Sequence, residues 1–166
     1  MDASESRRDR QFQFRPLGLR DALAAHRWRY PGEYAMYNLA LEPLLIASIL
    51  MRGPLSDAAG VAYYAVAHGR DPLIGVFSMQ RREGDVEIGV GLRPDLNGLG
   101  LGLPYLLEGL ELTRARYAPQ TFSLTVATFN QRAINVYVRA GFIPGPLKTF
   151  TFKGKRYDEM RMSRPA

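Results

Sequence analysis

Cysteine is absent from the 166 residues, which excludes a disulfide framework, a thiolate metal site and a cysteine nucleophile. That composition fits a reducing cytoplasm, the compartment expected here. Histidine is scarce, with two residues, and of the 22 basic residues only Lys148, Lys153 and Lys155 are lysines. The others are arginines scattered along the chain. No basic run marks a nucleic-acid interface despite a net charge of +6, and no metal-ligand set can be read. Long apolar runs are missing too. Leu44 to Leu50 falls far short of the roughly 20 residues that cross a bilayer. The opening MDASESRRDR carries charge without an apolar signal core. Neither export nor a membrane span is expected.

What is present suits one domain. A hydrophobic fraction of 46% supplies a core, and a chain of this length buries about 70% of its unfolded surface. Residues 1–10 read as a disordered tail and 11–166 as the domain. Gln11 to Arg15 alternates as a strand ended by Pro16, and Asp21 caps a helix reaching Trp28. Pro43 followed by LLIASILM predicts a second helix stopped near Gly53-Pro54. Gly60 to Ala67 and Leu73 to Met79 form a hairpin across His68 to Pro72, and Glu83-Gly84-Asp85 turns into a strand Val86 to Leu92. A helix over 102–117 then crosses to a strand 122–128. A helix at 131–140 and two strands around Lys153-Gly154-Lys155 complete the order, a mixed α/β (α+β) pattern.

The segment VEIGVGLRPDLNGLGLGLPYLL, Val86 to Leu107, carries the clearest chemistry. An apolar run stops at Arg93-Pro94-Asp95, and glycine recurs at 98, 100 and 102 where a helix begins. Bare backbone at a helix N-terminus exposes unpaired N–H groups to an anion, here a diphosphate. A dinucleotide fingerprint is excluded because Leu103 occupies the last glycine position and no acidic residue ends the next strand. A P-loop is excluded because Leu101-Gly102-Leu103 supplies neither the lysine nor the hydroxyl.

Asn97-Gly98-Leu99-Gly100-Leu101-Gly102 resembles the Q/R-x-x-G-x-G/A motif of the Gcn5-related N-acetyltransferase (GNAT) superfamily, with Asn97 in place of Gln or Arg. About 30 residues on, Phe129 to Phe142 fits N-x-R-A-x-x-x-Y-x-x-x-G-F, similar to the last block of that superfamily. By its own residues this segment is a helix with Asn130 at the N-cap and Gly141 past its end, and Ala133, Val136, Tyr137 and Ala140 share one face.

The resemblance covers residues 11 to 163 and implies the GNAT fold, a mixed sheet of six or seven strands with about four helices. It implies transfer of an acetyl group from acetyl-CoA to an amine, borne by a small molecule or a protein, and leaves room for a homodimer. Residues 97–102 would cradle the pyrophosphate, mainly through main-chain N–H groups. Asn130 and Arg132 would meet the cofactor arm. Val90-Gly91-Leu92 would carry pantetheine, through the main chain of Val90 and Leu92, with a free N–H polarising the carbonyl. Tyr137 is the candidate acid for the leaving thiolate, with core filling as the alternative. Glu87 is the candidate base, with a solvent-facing or ion-paired strand residue as the alternative.

His26 and His68 read as structural, and Asp71 beside Pro72 as turn chemistry. Trp28, Tyr30, Tyr34 and Tyr37 form either an aromatic lid over an amine pocket or the contacts of a long loop. A catalytically silent module that binds CoA or a metabolite is the alternative function.

Overall fold

Among the described residues the period-two alternation resolves into seven strands: β1 (Phe12–Pro16), β2 (Val61–His68), β3 (Asp71–Arg82), β4 (Asp85–Leu92), β5 (Thr121–Ala127), β6 (Ile143–Phe152) and β7 (Lys155–Pro165). Among the described residues the α-helices are α1 (Leu19–His26), α2 (Gly102–Tyr117) and α3 (Gln131–Arg139), with short 3-10 helices at Gly32–Tyr37 and Pro94–Leu96. The computed structural model describes residues 11–38 and 60–166. The expected tail at 1–10 and the helix expected after Pro43 lie outside the described residues. Among the described residues, no helix is long and apolar enough to cross a membrane.

The strands form one sheet in the order β1-β2-β3-β4-β5-β7-β6. Neighbours are antiparallel except β4 and β5, which are parallel and joined through α2. This is the mixed sheet expected. Val86 and Ile88 of β4 and Phe122, Leu124 and Val126 of β5 are buried on the face covered by Leu106 and Leu110 of α2. The helix can lie close because Gly109 faces Phe77, where an added Cβ would be 2.4 Å from the ring. On the other face α1 closes a smaller cluster of Leu17, Ala22, Ala65 and Leu73.

Local signals act where they were expected. The Asn130 side chain accepts the Ala133 N–H at 3.2 Å to start α3, and Gly141 takes φ +88° to end it. Three details differ. Pro16 stays in β1, opposite Tyr64, because β1 is the edge of the sheet and needs no outward N–H. β3 begins at Asp71, ahead of Leu73, and so includes Pro72. Helix α1 stops at His26, short of Trp28, and Asp21 serves it from inside the first turn by accepting the Gly18 N–H at 3.1 Å.

Candidate active site

Parallel pairing of β4 and β5 lasts for three positions, ending at Glu87 opposite Ser123, although the strands run on to Leu92 and Ala127. Beyond that point they part. Arg93 donates its N–H to Ile74 of β3, so by alternation the backbone groups of Leu92 and Val90 face the opening instead. The opening is the floor of a cavity of about 610 Å³, lined by Val90, Gly91 and Leu92, by the turn before α2, by α3 and by three tyrosines of the N-terminal segment.

The turn before α2 is set by geometry rather than crowding. Gly98 and Gly100 hold φ of +82° and +80°, and nothing lies within 4 Å of a Cβ added at either. Only the left-handed backbone demands glycine there. Gly102 allows close packing instead, since its Cβ would meet Val136 of α3 at 3.3 Å. No side chain caps α2 and no acidic residue occupies its first turn, so the N–H groups of Gly102 and Leu103 have no intrahelical partner.

Arg93 braces this turn from behind. Its guanidinium donates to Asp71 at 2.7 and 3.0 Å and to Asp95 at 2.7 Å, and it holds both carboxyls below the usual carboxylate range. Asp71 also accepts the Leu73 N–H at 3.2 Å, the turn role expected of it. Asn97, Gly98, Gly100, Leu101 and Gly102 line the cavity. Leu99 does not: it is 65% exposed and points outward, because alternation along the turn turns its side chain away.

Helix α3 supplies the opposite wall. Asn130 lines the cavity while its side-chain oxygen is committed to the helix cap. The Arg132 guanidinium lies 4.6 Å from the centre of the Tyr34 ring. Tyr137 is buried, lines the cavity and packs against Phe142 at 6.2 Å. Burial pushes its phenol well above the ordinary tyrosine value, with Tyr37 adding to the rise.

The aromatic segment laces the two parted strands together. Tyr30 donates its hydroxyl to the Leu92 carbonyl at 2.7 Å, and the Ala127 N–H donates to the Tyr37 hydroxyl at 3.2 Å. Tyr34 stands edge-on to Phe129 at 5.4 Å. Trp28 is not brought to the cavity. It packs against the cluster around Ala65 and Leu73, because α1 ends before it and turns its ring back over β2 and β3.

Nor does Glu87 line the cavity. It faces away from buried Val86 and Ile88, pairs with Arg82 at 2.9 Å, and lines a separate groove of about 200 Å³ with Lys148, Glu159 and Arg161. Its link to the cavity is Thr125, which lines both spaces and donates to Glu87 at 3.4 Å. His26 and His68 lie outside both, and the His68 ring stacks on Phe12 at 4.4 Å.

Two lining residues, Tyr105 and Thr125, escape a reading of the sequence. Thr125 is one of several polar residues alternating along β5, and Tyr105 falls among leucines on the apolar face of α2. The one available signal for Tyr105 is its polar tip on a face that otherwise needs only rings and methyls.

No family model matches the chain and no curated protein matches it. Solved structures do. A chimera of the spermidine N-acetyltransferase SpeG from Vibrio cholerae and hSSAT is 19% identical with a TM-score of 0.74, over 92% of this chain and 94% of that one. The spermidine N-acetyltransferase from Vibrio cholerae in complex with CoA and spermine is 17% identical with a TM-score of 0.72, over 93% and 95%. The Vibrio cholerae spermidine/spermine N-acetyltransferase SpeG in complex with manganese ions is 17% identical, also at 0.72, over 98% and 95%. The chain has the GNAT fold of these proteins.

Proposed function

We propose that the protein is an N-acetyltransferase that moves the acetyl group of acetyl-CoA to a primary amine by direct attack on the thioester. The observation that carries this is the parted pair β4 and β5, whose opening is lined both by an uncapped, glycine-opened helix N-terminus and by buried Tyr137. The fit to CoA rests on the residues themselves. The N–H groups of Gly102 and Leu103 await an anion, and Arg132 and Arg139 line the same cavity with positive charge suited to phosphates. Backbone groups at Val90 and Leu92 suit the amides of pantetheine.

Acetyl-CoA supplies an activated acyl group when bound. The chain orients it, excludes water and manages two protons. As the amine nitrogen bonds to the acyl carbon and the carbon–sulfur bond breaks, the nitrogen sheds its surplus proton to solvent, and Tyr137 gives its Oη proton to the leaving sulfur and regains one from solvent. The ammonium of the acceptor must first lose a proton, since its ordinary value lies near 10. Glu87 receives it by way of the Thr125 hydroxyl, which donates to Glu87 and belongs to a residue lining both its groove and the cavity. Tyr30, Tyr34 and Tyr37 present aromatic faces to the acceptor.

Spermine sits with CoA in one structure of the same fold, and it bears primary amines of this class. Among the described residues no carboxylate lines the cavity, and what those residues offer the amine is aromatic faces. The cysteine-free composition supports a cytoplasmic location, and Ile143 and Leu147, 66% and 62% exposed on the outer strand β6, support a homodimer. A panel of polyamines, amino acids, aminoglycosides and peptides, each with acetyl-CoA and a thiol-release readout, tests the activity. Amine-dependent release is expected for one class. Binding of acetyl-CoA without release for any amine would leave a silent binding module.

A further inference from the structure

We infer that Tyr105 is a hydrogen-bond donor of the cavity whose partner is the acyl carbonyl oxygen of the thioester, so that it tells acetyl-CoA from free CoA. The inference rests on the acetyltransferase proposal and goes beyond it in assigning acyl selection to a residue of α2.

Tyr105 stands one turn inside α2, three residues past Gly102, and is fully buried. Its ring is accounted for by packing, with Phe12, Phe14 and Phe77 centred 5.7, 6.0 and 6.1 Å away. A phenylalanine would make these contacts equally well. The hydroxyl is different, because it belongs to a residue that lines the cavity, is itself buried and has no hydrogen-bond partner among the described residues. An unpaired buried hydroxyl works against folding, so a tyrosine here makes sense when a ligand completes it.

The surroundings say which atom that is. A Cβ on Gly75 would lie 2.9 Å from the Tyr105 hydroxyl and 2.7 Å from the Gly91 carbonyl, so glycine at 75 keeps open the space between the hydroxyl and β4 where the strands part. Burial raises the Tyr105 phenol well above its ordinary value, and Tyr137 and Tyr30 lie near enough to add to the rise. It therefore stays protonated and donates, and it belongs to the same cavity as the residue that protonates the leaving sulfur. A donor that reaches the reacting end of the cofactor meets one strong acceptor there, the carbonyl oxygen that acetylation adds. Free CoA offers only a thiol there, a weak acceptor.

Binding of acetyl-CoA, free CoA and S-ethyl-CoA, which carries a methylene in place of the carbonyl, is measured by calorimetry on the wild type and on Tyr105→Phe. The wild type is expected to prefer acetyl-CoA over S-ethyl-CoA, and the variant to lose about tenfold of that preference while binding free CoA as before. Its ligand-free melting temperature should stay level or rise, since no protein bond is lost. Unchanged preference, or equal weakening toward all three ligands, overturns the inference. Should the variant fail to fold, the hydroxyl supports the structure by itself and the inference is equally overturned. Equal affinity of the wild type for acetyl-CoA and S-ethyl-CoA does the same without any variant. Failure of the wild type to bind any of the three is a distinct result, which removes the acetyltransferase proposal itself.

Discussion

Burial holds the proton on Tyr137 far into the alkaline range, so the phenol is in its donating form at any pH at which the protein works. Tyr137→Phe removes that proton and keeps the packing ring. Turnover should fall about a hundredfold or more while acetyl-CoA affinity changes little. Stopped assays with chemistry rate-limiting check this, and wild-type turnover would return Tyr137 to a packing role. Tyr30 allows a prediction about stability. Burial pushes its phenol up to about 12 in the fold, whereas in the unfolded chain it ionises near the ordinary value of 10. The folded form keeps its proton over that interval and the unfolded form does not. Its contribution is therefore complete below pH 10 and is lost as the pH rises toward 12. Melting curves at pH 9 and pH 11 should show a larger fall for the wild type than for Tyr30→Phe.

The turn and helix start at 98–102 act together as one element, since the glycines set the backbone path and the helix supplies the free N–H groups. With acetyl-CoA at about 100 times its dissociation constant, the wild type should gain about 2.7 kcal/mol of stability, roughly 5 to 10 °C in melting temperature. Gly100→Asp forces a side chain into φ +80° and sets a carboxylate where the anion belongs, and it should abolish that gain. A ligand-induced shift that survives in the variant would place the anion elsewhere.

This element was legible in the sequence because its cause is local. Alternating glycines and a following helical period need no tertiary information, and the same is true of the Asn130 cap and the Gly141 stop. Glu87 was legible only in part. Alternation told that it faces away from Val86 and Ile88, but which face holds the cavity depends on α2 and α3 packing together on one side of β4 and β5. Trp28 followed a similar course, since a helix shorter by two residues sent its ring to the α1 cluster. Tyr105 was hidden because a hydroxyl looks the same in sequence whether or not a neighbour satisfies it.

At the scale of the molecule, the strands of the described residues fall into two antiparallel groups, β1 to β4 and β5 with β7 and β6, joined by three ladder positions, the α2 crossover, the Tyr30 and Tyr37 bonds, and the contacts of Asp85 with Ser123 and Arg161 and of Glu87 with Thr125. The ladder ties of this seam sit at its Asp85–Glu87 end, so the part beyond Glu87 is where the native state opens at least cost. Amide hydrogen exchange should therefore sort the backbone into two protected sets, with Val90, Leu92 and Ala127 exchanging faster than the core of either group. A peptide-like arm laid along the seam would act as the missing rung. Its arrival should slow exchange at those amides together and turn two independent opening units into one.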